Sequence, residues 1–154
     1  MPDFPKEFPL AELVRSDNAT RKGIDNTPTP EHEENLLALV THVLLPLRKA
    51  MNGPIKVTSG YRSPKLNADT PGSSITSQHS HGQAADLVTG GSFTNAAMFD
   101  YIRKNLPFDQ MIWEFGSKKE PAWVHVSYRG TKRRGQVLRA VKSGTATHYQ
   151  PWTP

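Results

Sequence analysis

Two five-residue runs in the last third of the chain limit the fold most. Met111-Ile112-Trp113-Glu114-Phe115 and Trp123-Val124-His125-Val126-Ser127 are rich in β-branched and aromatic residues, and residues 116–122 separate them, with Gly116 to Pro121 as the turn. Such side chains suit a pleated, half-buried surface, and Gly and Pro punctuate turns, so the pattern predicts a β-hairpin. Strand alternation then puts Val124 and Val126 on one face and Trp123, His125 and Ser127 on the other. Ile55-Lys56-Val57-Thr58 alternates apolar and polar and predicts a strand, and residues 84–88 predict another.

Helical signals surround these strands. Thr29 and Pro30 open a helix with Glu31, Glu33 and Glu34 in its first turn, where the macrodipole favours acids. Leu36, Leu37, Val40, Val43, Leu44 and Leu47 recur at helical spacing, Pro46 predicts a kink, and Asn52-Gly53-Pro54 a stop. Ser92 is the expected cap of a second helix reaching Asn105. Helices flanking a small, mostly antiparallel sheet predict an α+β fold. The 154 residues fit a single domain, 1–154, with an irregular lead-in over 1–29 and a basic C-terminal tail over 129–154. Within that tail, residues 136–141 predict one edge strand, and residues 145–154, with Trp152, either pack back or lie free.

Composition narrows the chemistry. The chain has no cysteine, which excludes a disulfide framework, a thiolate zinc site and a cysteine nucleophile. A metal site must come from its six histidines and its acids. No stretch approaches the roughly 18 apolar residues of a membrane span. The first residues lack the apolar core and cleavage site of a signal peptide, so the expectation is synthesis in the cytoplasm. Net charge is +5, and after Glu120 no acid follows, whereas Arg129, Lys132, Arg133, Arg134, Arg139 and Lys142 do. This is either a solvated basic terminus or a segment attracted to a polyanion such as an anionic cell envelope. No stacking-aromatic motif or finger spacing points to nucleic acid. No heptad pattern argues against a monomer.

The segment Ser77-Gln78-His79-Ser80-His81-Gly82-Gln83-Ala84-Ala85-Asp86 carries the strongest chemical signal. On a strand, Ala84 and Asp86 share one face while Ala85 and Leu87 take the other. An aspartate followed by Leu87-Val88 is poorly placed for a solvated surface and needs a partner, and His79 at the mouth of the loop can be one. With His125 on a second strand, the sequence offers two histidines and one aspartate. Three protein ligands with an open fourth position is the arrangement of a catalytic zinc. On spacing alone, an ordinary hydrogen-bonded His and Asp is the simpler account.

Ser77-x-His79-x-x-Gly82-x-Ala84-x-Asp86 resembles the signature of the zinc D-Ala-D-Ala carboxypeptidase family, which includes VanY-like enzymes and phage-encoded peptidoglycan peptidases. The resemblance extends to Ser59-Gly60-Tyr61-Arg62-Ser63-Pro64-x-Leu66-Asn67, to Phe108-Asp109-Gln110-Met111-Ile112-x-Glu114, and to Trp123-Val124-His125-Val126-Ser127. Blocks match in order from about Glu12 to Tyr128. The resemblance implies a fold shared with the Hedgehog signalling domain, with Zn2+ bound by His79, Asp86 and His125. It implies hydrolysis of a peptidoglycan stem peptide, by a D-Ala-D-Ala carboxypeptidase or by an endopeptidase cutting L-Ala-D-Glu or a cross-link.

A phage-type endolysin released by a separate protein, or a virion component, would suit the same features. The rival is a non-catalytic, zinc-stabilised cell-wall-binding module. Glu114 is the expected base, with Glu120 as competitor. Several relatives place the catalytic Glu three residues before the second ligand His, where this chain has Ala122. Arg62 is the expected electrophile near the scissile carbonyl or a terminal carboxylate. Tyr61, Ser63, Ser77, His81 and Trp123 are the expected substrate-binding residues. Of Trp113 and Trp123, one belongs in the core and one on the cleft. His32, His42 and His148 are expected to be non-ligands.

Overall fold

The computed structural model describes residues 3–70 and 77–154. Six strands form one sheet: β1 (Ile55–Ser59), β2 (Ala84–Thr89), β3 (Gln110–Glu114), β4 (Trp123–Ser127), β5 (Gln136–Ser143) and β6 (Ala146–Pro151). Their order is β1-β2-β4-β3-β5-β6, antiparallel at every junction except the parallel β3–β5 pair. With the helices that cover it, this is the expected α+β class, and β3–β4 is the expected hairpin.

One face of the sheet is the core. Ala85 and Leu87 of β2, Met111 and Trp113 of β3, and Val124 and Val126 of β4 pack with Phe99 and Ile102 of the helix α6 region (Asn95–Asn105). Trp113 is the core tryptophan: its ring meets Phe99 edge-on at 5.1 Å, and its indole N–H donates to Ser117 O at 2.8 Å. Alternation therefore turns Asp86, His125, Ile112 and Glu114 to the opposite face, where all four line an open cleft.

The lead-in is more ordered than its composition suggests. It forms two short helices, α1 (Leu10–Val14) and α2 (Asp17–Lys22), and buries Phe8 and Leu13 completely. Ahead of Pro46 the long helix changes its hydrogen-bond pattern. α3 (Pro30–Leu39) passes through a π-helical turn, Val40–Leu44, before α4 (Leu45–Met51) resumes. Proline has no N–H for the ordinary bond, and its ring crowds the carbonyl four residues back, so one wider turn relieves both problems. In that turn Leu45 N–H bonds Val40 O.

α6 begins at Asn95, capped by Thr94 rather than Ser92; the Thr94 hydroxyl accepts the Ala97 N–H at 3.0 Å. The start is decided by Glu120, whose carboxylate accepts the Asn95 N–H at 3.3 Å and the Ala96 N–H at 2.7 Å. An anion at a helix N-terminus satisfies free amides and complements the dipole. Glu120 is therefore a helix cap, not a solvated turn residue.

The C-terminal segment also departs from expectation. β5 lies inside the sheet, with β6 as its edge. Residues 145–154 pack back: Trp152 lies 5.7 Å from Trp113 and beneath the Arg139 guanidinium at 4.8 Å. A short helix, α5 (Pro64–Ala68), and a 3-10 turn, Gln78–His81, structure the long stretch between β1 and β2.

Candidate metal centre

Strand register builds the first half of the site. Asp86 of β2 stands directly opposite His125 of β4, so their side chains emerge side by side on the cleft face. His125 Nδ1 is 3.1 Å from Asp86 Oδ1.

His79 arrives from the 3-10 turn, which is held at several points. The Ser77 hydroxyl accepts the His79 N–H at 3.2 Å, and Arg62 N–H donates to His79 O at 3.0 Å. Gly82 ends the turn at φ +71°, where a Cβ would also collide with His32 O. The His79 ring is fixed by Gly60 O, 2.7 Å from Nδ1. Gly60 can stand there only as glycine, because any Cβ would run into Leu13 O at the end of α1. A bulge at the end of β1 brings the chain into this position.

A carbonyl only accepts, so Nδ1 of His79 carries a proton and Nε2 faces Asp86 Oδ1 at 3.4 Å. In the neutral ring that contact sets a lone pair against a carboxylate. It becomes favourable only when a proton or a metal ion lies between the two atoms. The donor atoms of His79, Asp86 and His125 all lie within 4.8 Å of one another, the one such cluster among the described residues. His79 and His125 are buried. Two imidazoles and one carboxylate, with a carbonyl orienting one ring, fit a divalent ion such as zinc. Burial pushes the Asp86 carboxyl up, but the positive charge that a protonated His79 would place beside it and hydrogen bonds from the two imidazoles outweigh burial and hold the group well below the usual carboxylate range.

Glu114, on β3, shares this face and is 7% exposed. Burial pushes its carboxyl up to about 7; His125 and Arg62 oppose that shift and Asp86 reinforces it. Arg62 points into the same space. Burial lowers its pKa, Asp86 and Glu114 oppose the shift, and its Nε has no partner. Its Nη2 lies 3.4 Å from the Ser77 hydroxyl.

These side chains line an open cleft of about 1140 Å³, with Ser77 and Trp123 on its walls. Tyr61, Ser63 and His81, expected to touch substrate, do not line it. Tyr61 is 3% exposed and packs into the core with its ring 4.8 Å from His32. Ser63 caps α5 through the Leu66 N–H and lies below the surface. His81 is exposed outside the cleft lining, and its carbonyl accepts from Asn35 Nδ2 at 2.8 Å. His32 completes a capping box with Thr29, and His42 stacks on Tyr128 at 4.8 Å.

The second wall went unread in the sequence. Arg134, Leu138, Lys142 and Tyr149, from β5, β6 and the segment before them, line the same cleft as the candidate ligands His79, Asp86 and His125. Alternation in β5 carries a weak trace of this, but the parallel β3–β5 pairing that brings it there has no local signal. Asp109 ties the wall to the 3-10 turn that carries His79. It is fully buried and accepts from Arg134 N at 2.7 Å, Arg134 Nη2 at 2.8 Å and Gln78 Nε2 at 2.9 Å. Burial raises the Asp109 carboxyl, but these bonds win and hold it low.

A mixed His/Asp cluster with a buried carboxyl poised near neutrality is the equipment of a metallohydrolase. The model of the Peptidase M15 family matches residues 6–127, and the chain belongs to that family of metallopeptidases. The match covers all three candidate ligands, Glu114 and Arg62, and stops before β5. No curated protein matched the chain.

Proposed function

We propose that this chain is a zinc peptidase that hydrolyses the stem peptides of bacterial peptidoglycan, in the manner of a D-Ala-D-Ala carboxypeptidase. The observation that carries the reading is the His79–Asp86–His125 cluster beside a buried Glu114. His79, Asp86 and His125 would hold the ion, and zinc in such a set supplies Lewis acidity toward a carbonyl oxygen and toward water.

The protein's own groups do the rest. Glu114 takes the proton of the attacking water and returns it to the departing amine, and a pKa of about 7 serves both transfers. Arg62, with an unpartnered Nε, offers its planar fork to the developing oxyanion or to a terminal carboxylate. Gly60 O keeps the His79 ring in one tautomer and orientation. Trp123 covers one side of the reacting bond. In this reading the enzyme meets its substrate in the cell wall, after release from the cell that made it or as part of a virion.

Mass analysis of purified peptidoglycan after digestion, with and without a chelator, tests the proposal. Loss of a terminal D-Ala that stops with the chelator is the expected result. Cleavage within the stem or at a cross-link would assign an endopeptidase instead. Intact peptidoglycan with zinc-loaded protein would leave a binding module.

A further inference from the structure

The face that carries the metal ligands continues past Glu114 onto the C-terminal hairpin. Register sets Trp123, Glu114, Ala140 and Tyr149 in one row across β4, β3, β5 and β6. Ala140 contributes only a Cβ, so the row dips between Glu114 and Tyr149. Tyr149 is 52% exposed, the one exposed large hydrophobic among the described residues, and it lines the cleft. With strands about 5 Å apart, its Cα stands about 10 Å from that of Glu114, the reach of roughly three residues of extended peptide.

Lys142 lies two positions beyond Ala140 on the same face and also lines the cleft. Its ammonium sits 5.5 Å from the Phe115 ring centroid and forms no ion pair with a described acid. The neighbouring cations are engaged elsewhere: Arg134 with Asp109, and Arg139 on the core face against Trp152. No acid follows Glu120 in the chain, so the hairpin has none of its own to offer Lys142. An exposed ring and an unpaired ammonium on a cleft wall contribute little to the fold, yet together they match an extended peptide carrying a carboxylate.

We infer that the β5–β6 hairpin is a recognition wall for an acidic peptide, in which Tyr149 packs on the peptide chain about three residues from the bond beside Glu114 and Lys142 pairs with a carboxylate of that same stretch. The inference rests on the peptidase reading and adds a specificity element outside the matched family region.

Two synthetic stem pentapeptides test it, identical except that the free carboxylate of the second residue is amidated in one. Wild-type protein should favour the free acid roughly fivefold in kcat/KM, as a partly exposed ion pair allows. Lys142→Gln should erase that preference by raising KM for the acid alone, with kcat kept. Tyr149→Ala should raise KM for both peptides about tenfold. Calorimetry of the same peptides with chelator-treated wild type and Lys142→Gln separates this inference from the catalytic one. Lys142-dependent binding without cleavage by the zinc-loaded enzyme would sink the peptidase reading and sustain the wall. Cleavage with unchanged discrimination in Lys142→Gln, or no binding of either peptide, would overturn the wall.

Discussion

Glu114→Gln separates a desolvated carboxyl from a merely nearby one. An ordinary glutamate titrates near 4.5, and burial lifts Glu114 to about 7. The folded state thus keeps its proton to higher pH than the unfolded state, and ionising the group is paid for by the fold. Its contribution to stability is fully present below 4.5 and is lost as pH rises through 7. The gap corresponds to about 3 kcal/mol, at about 1.4 kcal/mol per pH unit. Glutamine stays neutral throughout and has nearly the same shape. In metal-free protein the stability of Glu114→Gln relative to wild type should therefore grow by about 3 kcal/mol between pH 4 and pH 8. Urea unfolding in chelator at pH 4, 6 and 8 reads this directly. A difference that stays flat across that range would refute the desolvated, poised carboxyl, and the case for Glu114 as base would go with it. In the zinc-loaded protein, the same variant should retain the metal and lose about 10²- to 10⁴-fold in kcat.

Glu120→Ala should cost about 1 kcal/mol in thermal unfolding through the lost α6 cap, and leave peptide hydrolysis near wild type; a collapse of kcat would make Glu120 the base. Gly60→Ala should destabilise by about 1–3 kcal/mol and weaken zinc binding in a competition titration, because the added Cβ meets Leu13 O and shifts the carbonyl that holds His79. Asp109→Ala should cost about 2–3 kcal/mol by leaving Arg134 and Gln78 without their acceptor, with faster hydrogen exchange in β5; unchanged exchange there would deny the tie between the wall and the turn that carries His79.

Much of the site was legible before any coordinates. Asp86 and His125 sit in strands whose period of two assigns each side chain a face, so the apolar neighbours Ala85, Leu87, Val124 and Val126 already predict where the polar ones point. His79 was readable only through its motif, because a loop has no period. Harder to read were side chains whose surroundings are set by a distant partner. Glu120 looked solvated because the amides it caps lie 24 and 25 positions earlier in the chain. Tyr61 and Ser63 were expected at the cleft for their hydroxyls, yet both are buried and of the three neighbours only Arg62 lines the cleft with His79, Asp86 and His125. The Trp113 and Trp123 ambiguity closed once α6 was seen to cover one face of the sheet.

The sequence by itself determined the α+β class, the hairpin, the face on which Asp86, Glu114 and His125 gather, and, through its motifs, the three residues His79, Asp86 and His125 that the fold brings together as a candidate metal set. All of these follow from local periodicity or from residues close along the chain. Only the tertiary structure decided that His79 Nε2 meets Asp86, that burial raises Glu114, and that the basic C-terminal segment becomes the second wall of the cleft. Each of those depends on long-range pairing, above all the parallel β3–β5 junction, and on how much water the assembled fold leaves around a charge.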